Sequence, residues 1–257
     1  MGPELEFFDC NVYLGLPMNR PGGWFGPPPA TAQALLAEMD RAGVARALVW
    51  HAAQYDGHPA TGNRLLSEAI AGCDRLAGCW SILPPQTGEL GDVGEFLAAA
   101  VRSGVRAFRA FPDMHRYLLR RDAMGGLLER LAEARAPLLV RAADKAQWES
   151  LYDLLRELPE LTVIATDMGN WGSDRYFRPL VERRQNFYIE TSGYMTDGGM
   201  EAFVESYGAG RLLFGSGFPQ AYLGAFTLTI AHCDIAPPDK AAIAGGNLAR
   251  LLAEVKL

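Results

Sequence analysis

The 257-residue chain has little of several features that mark specialised classes of protein. No apolar run approaches the roughly 20 residues that a transmembrane helix needs. Positive charge is not in excess, because the formal net charge is −6, whereas nucleic-acid binders normally carry a basic face. The start of the chain, Met1 to Asp9, is acidic and lacks the basic residues and longer apolar region of a secretory signal. We therefore expect a cytoplasmic protein that binds neither nucleic acid nor membranes.

Cysteine is also sparse. The four cysteines have no C-x-x-C spacing, and two of them, Cys10 and Cys79, fall within strand-like runs. This pattern does not predict a disulfide framework, and it suits a reducing compartment. With 49% hydrophobic and 21% charged residues, the composition is that of a globular protein able to bury a large core.

What the chain does contain is a repeat of short apolar runs and amphipathic helical stretches, with a period of about 30 residues. Most runs are continuously apolar, which is typical of parallel strands covered on both faces. In the first helical stretch, Thr31 is predicted to cap the start and Gly43 to end the helix. The eight runs are Glu6–Val12, Ala45–His51, Leu76–Leu83, Val105–Phe111, Pro137–Ala142, Leu161–Met168, Asn186–Thr191 and Leu212–Phe218.

Eight βα units fit either a (β/α)₈ TIM barrel or a doubly wound open sheet. The open sheet would usually carry a G-x-G-x-x-G turn after its first strand, and the turn Gly15–Gly23 lacks it. We predict an α/β fold with a single TIM-barrel domain over residues 1–257. The segment Leu16–Ala30 holds five prolines and three glycines around Trp24 and Phe25. It is too long for a plain connector, so we predict a lid over the barrel mouth.

The carboxyl ends of the strands form the active site of a TIM barrel, and the segments predicted there carry a family resemblance. They are Phe8–Gly15, Ala42–Val49, Gly104–Arg109, Asp167–Gly169, Arg211–Pro219 and the closing Gly246–Leu252. Together they resemble the amidohydrolase-related family (amidohydrolase 2) of metal-dependent hydrolases and decarboxylases. The resemblance covers nearly the whole chain and implies a TIM barrel.

The resemblance also shows a difference in the metal site. The family carries D-x-H-x-H on strand 1, one His each on strands 5 and 6 and an Asp on strand 8, which hold divalent metals. Asp9 keeps the leading Asp, but the ligand positions hold other residues, namely Asn11, Tyr13, Arg141, Asp167 and Gly217. An amide is a poor zinc ligand, arginine is a permanent cation and glycine has no donor. The replaced positions imply that this chain binds no metal and no other cofactor there.

Residues at the predicted barrel mouth are the candidates for function. Asp167, His51 and Tyr13 are candidate catalytic acids or bases. The candidate ligand-binding residues are Arg109, Arg141, Asn11, Trp24 and Glu190. Two arginines suit a carboxylate or phosphate ligand, although Arg141 could instead pair with Asp167 or Glu190. A relocated metal site is a further alternative, built from His51, His58, His115 and Asp113.

Two functions follow from these candidates. The first is a hydrolase-like enzyme that acts without a metal on a small carboxylated molecule, by hydrolysis of a lactone or ester or by decarboxylation. The alternative is a catalytically silent barrel, a pseudoenzyme, that binds a small ligand or a protein partner. The lost metal ligands favour the silent barrel, whereas the aromatic lid and the titratable residues at strand ends favour the enzyme. The oligomeric state, a homo-oligomer included, stays open.

Overall fold

The computed structural model describes residues 5–17, 30–169 and 172–257. Eight parallel strands pair in chain order within one sheet. Their bounds are Phe7–Leu14 (β1), Val44–His51 (β2), Leu76–Ser81 (β3), Val105–Ala110 (β4), Leu138–Arg141 (β5), Val163–Thr166 (β6), Phe187–Glu190 (β7) and Leu212–Leu213 (β8). After β8 the chain runs beside β1, where Cys10 N donates to Phe214 O (2.9 Å) and Gly217 N donates to Asn11 O (3.0 Å). The predicted TIM barrel is confirmed.

Helices follow the strands and cover the outside of the barrel. As predicted, Thr31 caps α1, its Oγ1 accepting from Ala34 N (3.1 Å), and Gly43 ends it with φ +71°. No helix in the described ranges is long and apolar enough to cross a bilayer. The helices are Ala32–Ala42 (α1), Ala53–Asp56 (α2), Pro59–Ile70 (α3), Val93–Arg102 (α4), Pro112–His115 (α5), Leu127–Glu133 (α6), Lys145–Glu157 (α7), Asp174–Arg183 (α8), Gly199–Tyr207 (α9), Leu223–His232 (α10), Pro237–Ala241 (α11) and Asn247–Ala253 (α12).

Two apolar layers hold this arrangement together. The larger lies between strands and helices and includes Phe108, Trp148 and Leu35. The smaller fills the barrel interior, where Cys10 and Leu139 meet the side chains that α12 contributes. Because this inner layer is apolar and buried, the polar side chains inside the barrel are confined to the carboxyl ends of the strands.

An irregularity in β1 turns polar residues toward that end. Asp9 pairs with Ala47 of β2, but Val12 pairs with Val49, so β1 has one more residue than β2 over this interval. Such a bulge changes which side chains face inward. Cys10 joins the inner apolar layer, and Asn11 still reaches the polar groups at the mouth.

Candidate active site

Asn11 connects the charged groups at the mouth of the barrel. Its Nδ2 donates to Asp167 Oδ1 (2.8 Å) and to Glu190 Oε2 (3.2 Å), and its Oδ1 accepts from Arg109 Nη1 (2.8 Å). An amide can bridge in this way because it carries a donor and an acceptor. Asn11 therefore holds a cation and two carboxyl groups in one fixed arrangement.

Arg109 is the cation at the centre of this arrangement. Only 1% of the residue is exposed, and its Nη2 donates to Asp167 Oδ2 and to Thr166 Oγ1 (3.1 Å). Its guanidinium carbon lies 4.8 Å from the Trp50 ring and 5.4 Å from that of Phe111. A buried arginine needs a carboxylate partner. Asp167 is that partner, so the pairing considered for Arg141 is made by Arg109 instead.

Asp167 follows β6 with a left-handed backbone, at φ +52°. Few residues other than glycine adopt this region, and such residues cluster at functional sites. The backbone turn places the carboxylate between the buried Arg109 and the mouth of the barrel, and 34% of the Asp167 side chain is exposed. Asp167 is therefore both fixed by hydrogen bonds and accessible to a ligand.

Two further carboxyl groups lie deeper, beside the same centre. Glu190 is fully buried and accepts from Ser192 Oγ (2.8 Å); burial, with the charge of Asp167 adding to it, raises the pKa of Glu190 to about 7. Asp9 is also fully buried, and its Oδ1 accepts from the backbone N–H groups of Asn11 (3.0 Å) and Ser216 (3.1 Å). Burial raises the pKa of Asp9 to about 7. Both groups thus change charge near neutral pH.

A cavity of about 270 Å³, called the inner cavity below, adjoins this centre. Its lining consists of Asn11, Tyr13, Pro17, Trp50, Ala52, Tyr55, Arg109, Phe111, Arg141, Asp167, Gly217 and Gln220. The exposed Arg141 has no ion pair or hydrogen bond from its side chain to any described residue. Trp50 Nε1 and Arg109 Nε are buried and have no acceptor within the same ranges. The exposed, unpaired guanidinium of Arg141 favours a ligand that supplies acceptors, such as a carboxylate.

The other candidate residues occupy different places. Tyr13 lines the inner cavity with its ring 4.8 Å from that of Trp50, whereas Glu190 lies beneath the lining. His51 is outside the lining. Its Nδ1 accepts from Ala53 N (3.1 Å), and its ring packs so closely on Gly15 that a Cβ there would lie 2.6 Å from Cε1. Burial lowers the pKa of His51.

The predicted lid falls mostly outside the described residues, which include Leu16, Pro17 and Ala30 but not Trp24 or Phe25. The two ends of the segment meet, since Gly15 N donates to Ala30 O (2.8 Å), and Pro17 lines the inner cavity. The lid therefore stays a prediction.

The relocated metal site is not supported. His58 Nε2 lies 3.3 Å from Glu89, His115 Nε2 lies 3.0 Å from Tyr55 O, and Asp113 accepts from Gln147 (2.6 Å). Each side chain thus has a separate partner. Over residues 5–17, 30–169 and 172–257, no three His, Cys, Asp or Glu side chains are grouped to hold a metal ion.

The positions that the resemblance assigns to the family's metal do not fit a divalent ion either. Asp167 is the one carboxylate among them, and its Oδ2 is bonded to the guanidinium of Arg109. A catalytic zinc requires three protein ligands. A fixed cation inside the donor set also repels a second cation. The residues present therefore suit a guanidinium and not a metal.

Sequence reasoning missed two contributors, Thr166 and Gln220, and it left open whether Glu190 or Ser192, which donates to Glu190, faces the mouth. Thr166 could have been found, because it ends the buried β6 directly before Asp167. Ser192 and Gln220 lie on loops beyond the strands, where no periodic pattern fixes their direction.

Comparison with known proteins places the chain among related barrels. The profile of the Amidohydrolase family (Amidohydro_2) matches residues 18–253. No curated protein gives a significant match.

Solved structures match almost end to end. They include 5-carboxyvanillate decarboxylase from Sphingomonas paucimobilis, with 16% identity and a TM-score of 0.71 over 97% of this chain and 99% of that chain. A probable 2-pyrone-4,6-dicarboxylic acid hydrolase from Acinetobacter baumannii, with citric acid bound, has 15% identity and a TM-score of 0.68, over 97% and 100% of the two chains. A dihydroxybenzoic acid decarboxylase from Polaromonas, with bound manganese and an inhibitor, has 15% identity and a TM-score of 0.73, over 97% of each chain. At these identities the likeness shows the fold.

Proposed function

Because the chain belongs to the amidohydrolase family, we propose that it is an enzyme that acts without a metal on a small carboxylated molecule, by hydrolysing an ester or lactone or by decarboxylation. The observation that carries this proposal is the guanidinium of Arg109, which is bonded to Asn11 and Asp167. These are the strand-1 and strand-6 positions that the family uses for its metal. A fixed positive charge thus takes part of the metal's electrostatic role.

The unpaired Arg141 supports a carboxylated substrate. An arginine fork binds a carboxylate through two parallel hydrogen bonds, and the exposed Arg141 lies in the lining of the inner cavity. The solved structures with the same fold include proteins named for carboxylated compounds, among them 5-carboxyvanillate and 2-pyrone-4,6-dicarboxylic acid.

Asp167 is the proposed base. It is the one carboxylate in the described lining of the inner cavity, and that lining has no histidine. A guanidinium cannot lower the pKa of water as a metal does, so a hydrolysis needs a side-chain base. Asp167 would take a proton from water as the water oxygen attacks the ester carbonyl, while Arg109 or Arg141 stabilises the negative oxygen. The proton then passes to the leaving alkoxide. In a decarboxylation, the C–C bond breaks and its electron pair stays on the carbon, which would take the Tyr13 proton as CO₂ leaves. A proton from solvent would then restore the Tyr13 hydroxyl.

The test is turnover by chelator-treated protein of 2-pyrone-4,6-dicarboxylate, a carboxylated lactone, and of 2,6-dihydroxybenzoate, a carboxylate that can be decarboxylated. Asp167→Asn should lower kcat/KM for a hydrolysed substrate by about 10²–10⁴-fold, the usual contribution of a general base. His51→Gln should change it by less than about threefold, because its ring lies outside the cavity lining. Hydrolysis that survives Asp167→Asn, or that is lost in His51→Gln, would contradict the assignment of the base.

Ligand binding without turnover is the second candidate function, and one observation favours it. Both oxygens of Asp167 already accept hydrogen bonds, Oδ1 from Asn11 and Oδ2 from Arg109 and Thr166. These hydrogen bonds occupy acceptor positions on the carboxylate that an attacking water would otherwise use. If carboxylates bind in an Arg141-dependent way but none of the substrates turns over, the silent barrel is the better description.

A further inference from the structure

A second cavity of about 270 Å³, called the outer cavity below, adjoins the inner one. The two cavities share Tyr55, Phe111 and Arg141 in their linings. Arg141 is the last residue of β5, so its guanidinium stands at the boundary between the two spaces. Ligand pockets usually hold 300–1,000 Å³, a range that neither cavity reaches alone and that the two reach together.

The outer cavity has an apolar wall, and most of its charged side chains are bonded to neighbouring residues. Arg120 Nη2 bonds to Glu157 (2.6 Å), Asp113 accepts from Gln147 (2.6 Å), and Asp153 pairs with Arg156 (2.7 Å). Within the described ranges, Arg141 is therefore the charged side chain of the lining that has neither an ion pair nor a side-chain hydrogen bond. The apolar wall is formed by Phe111, Met114, Leu118, Leu119 and Val140.

The exposure of Leu118 is a second observation that supports ligand contact with this wall. Leu118 is 68% exposed, the largest exposed fraction among the large apolar side chains that the structure describes. An exposed leucine on its own needs no explanation. At the edge of an apolar cavity, it is placed to cover an apolar group that enters there.

We propose that the ligand carries its carboxylate between two uncharged arms. The carboxylate binds Arg141, one arm enters the inner cavity toward Asp167, and the other enters the outer cavity against Met114 and Leu119. The proposal rests on the proposed function for the role of Arg141 as the carboxylate site. It adds that the substrate is bipartite and that the outer cavity selects for the second, uncharged arm.

Titration calorimetry of the full chain with two matched acids tests this. Phenylacetate has one ring beside its carboxylate, and diphenylacetate has two. Burial of the second ring should make diphenylacetate bind at least about tenfold more tightly, since apolar burial is worth roughly 25 cal/mol per Å². Equal affinities would overturn the bipartite ligand.

Two substitutions on α7 locate the second arm. Ala146 lines the outer cavity, whereas the exposed Glu149 on the same helix does not. Ala146→Trp should fill the cavity and lower the affinity for diphenylacetate to that for phenylacetate, leaving phenylacetate binding unchanged. Glu149→Trp should change neither affinity. If Ala146→Trp lowered the affinity for both acids equally and left the thermal unfolding midpoint unchanged, the assignment of the outer cavity to the second arm would be refuted.

Arg141→Met separates this inference from the proposed function. It should weaken both acids by at least about tenfold, because a charged hydrogen-bonding partner is lost. If phenylacetate binding depends on Arg141 but diphenylacetate binds no more tightly than phenylacetate, the outer cavity is not a subsite and the proposed function stands. If neither acid binds, or binding ignores Arg141, the carboxylate site itself fails, and both proposals fail with it.

Discussion

Replacing Glu190 with glutamine should remove much of the pH dependence of this protein's stability between about pH 4.5 and 7. Glu190 is fully buried, and burial raises its pKa from 4.5 to about 7. In the unfolded chain the same carboxyl group keeps its ordinary pKa. The folded state therefore binds more protons than the unfolded state within this window.

The sign and size of the effect follow from that difference. Stability contributed by Glu190 is fully present below about pH 4.5 and falls as the pH rises toward 7, where the loss is complete. At 1.36 kcal/mol per pKa unit, the difference between 4.5 and about 7 amounts to about 3 kcal/mol. Asp9 acts in the same direction, because burial raises its pKa too, but the substitution leaves that contribution in place.

Glutamine also carries a cost that does not depend on pH. Ser192 N, Ser192 Oγ and Asn11 Nδ2 all donate to the Glu190 carboxyl group, and an amide nitrogen would face some of these donors. At low pH the unsatisfied groups should lower the free energy of unfolding of Glu190→Gln by about 1–3 kcal/mol relative to the wild type. This difference should shrink or reverse as the pH rises.

Urea denaturation from pH 4.5 to 8.5 measures the effect. The free energy of unfolding of Glu190→Gln minus that of the wild type should rise by about 3 kcal/mol across this range. Glu149→Gln is the matched control, since it removes the same charge from an exposed helix position and should run parallel to the wild type. Parallel curves for Glu190→Gln and the wild type would show that Glu190 ionises normally and refute the reasoning.

Two further predictions concern the cation at the centre. Arg109→Met should lower the free energy of unfolding by about 3–5 kcal/mol, because it leaves the Asp167 carboxylate without its buried partner. A loss below about 1 kcal/mol in urea denaturation would mean that the ion pair is dispensable. Chelators should change neither the thermal unfolding midpoint nor any turnover, because the donor set suits a guanidinium. About one zinc, iron or manganese per chain by elemental analysis, lost together with activity, would contradict this.

The sequence was sufficient to place all eight strands, because each one is a short, largely apolar run between helical stretches. The predicted bounds differ most from the structure at β8. The prediction covers Leu212–Phe218, whereas the strand covers only Leu212–Leu213. Beyond Leu213 the chain bonds to β1 through Phe214 O and turns at Gly217, with φ +68°. Gly215 is required there for another reason, since a Cβ would lie 2.2 Å from Glu190 Oε1. A contact between β7 and the end of β8 cannot be read from either segment alone.

The candidate site was predictable as a set of residues but not as a set of partners. Asn11, Arg109, Arg141 and Asp167 do meet in one cavity lining. Which arginine pairs with Asp167 depends on depth, and depth depends on how the strands are staggered around the barrel. Arg109 precedes the last residue of β4 and is buried, whereas Arg141 ends β5 at the rim and is exposed. Arg109 pairs with Leu139, so Arg141 lies two residues nearer the mouth, and this difference separates a structural ion pair from a free guanidinium.

Under the proposed metal-free function, the charges at the centre take the place of a divalent ion. A metal would bring two positive charges, whereas Arg109 brings one, which Asp167 already balances. Any further ionised carboxylate nearby would be uncompensated, and burial makes that costly. Glu190 and Asp9 meet this constraint because their pKa values are raised to about 7, so both hold a proton through the mildly acidic range. The centre is then neutral as a whole, and the unpaired charge that remains in the cavity lining is that of Arg141, where we expect the ligand's carboxylate to bind.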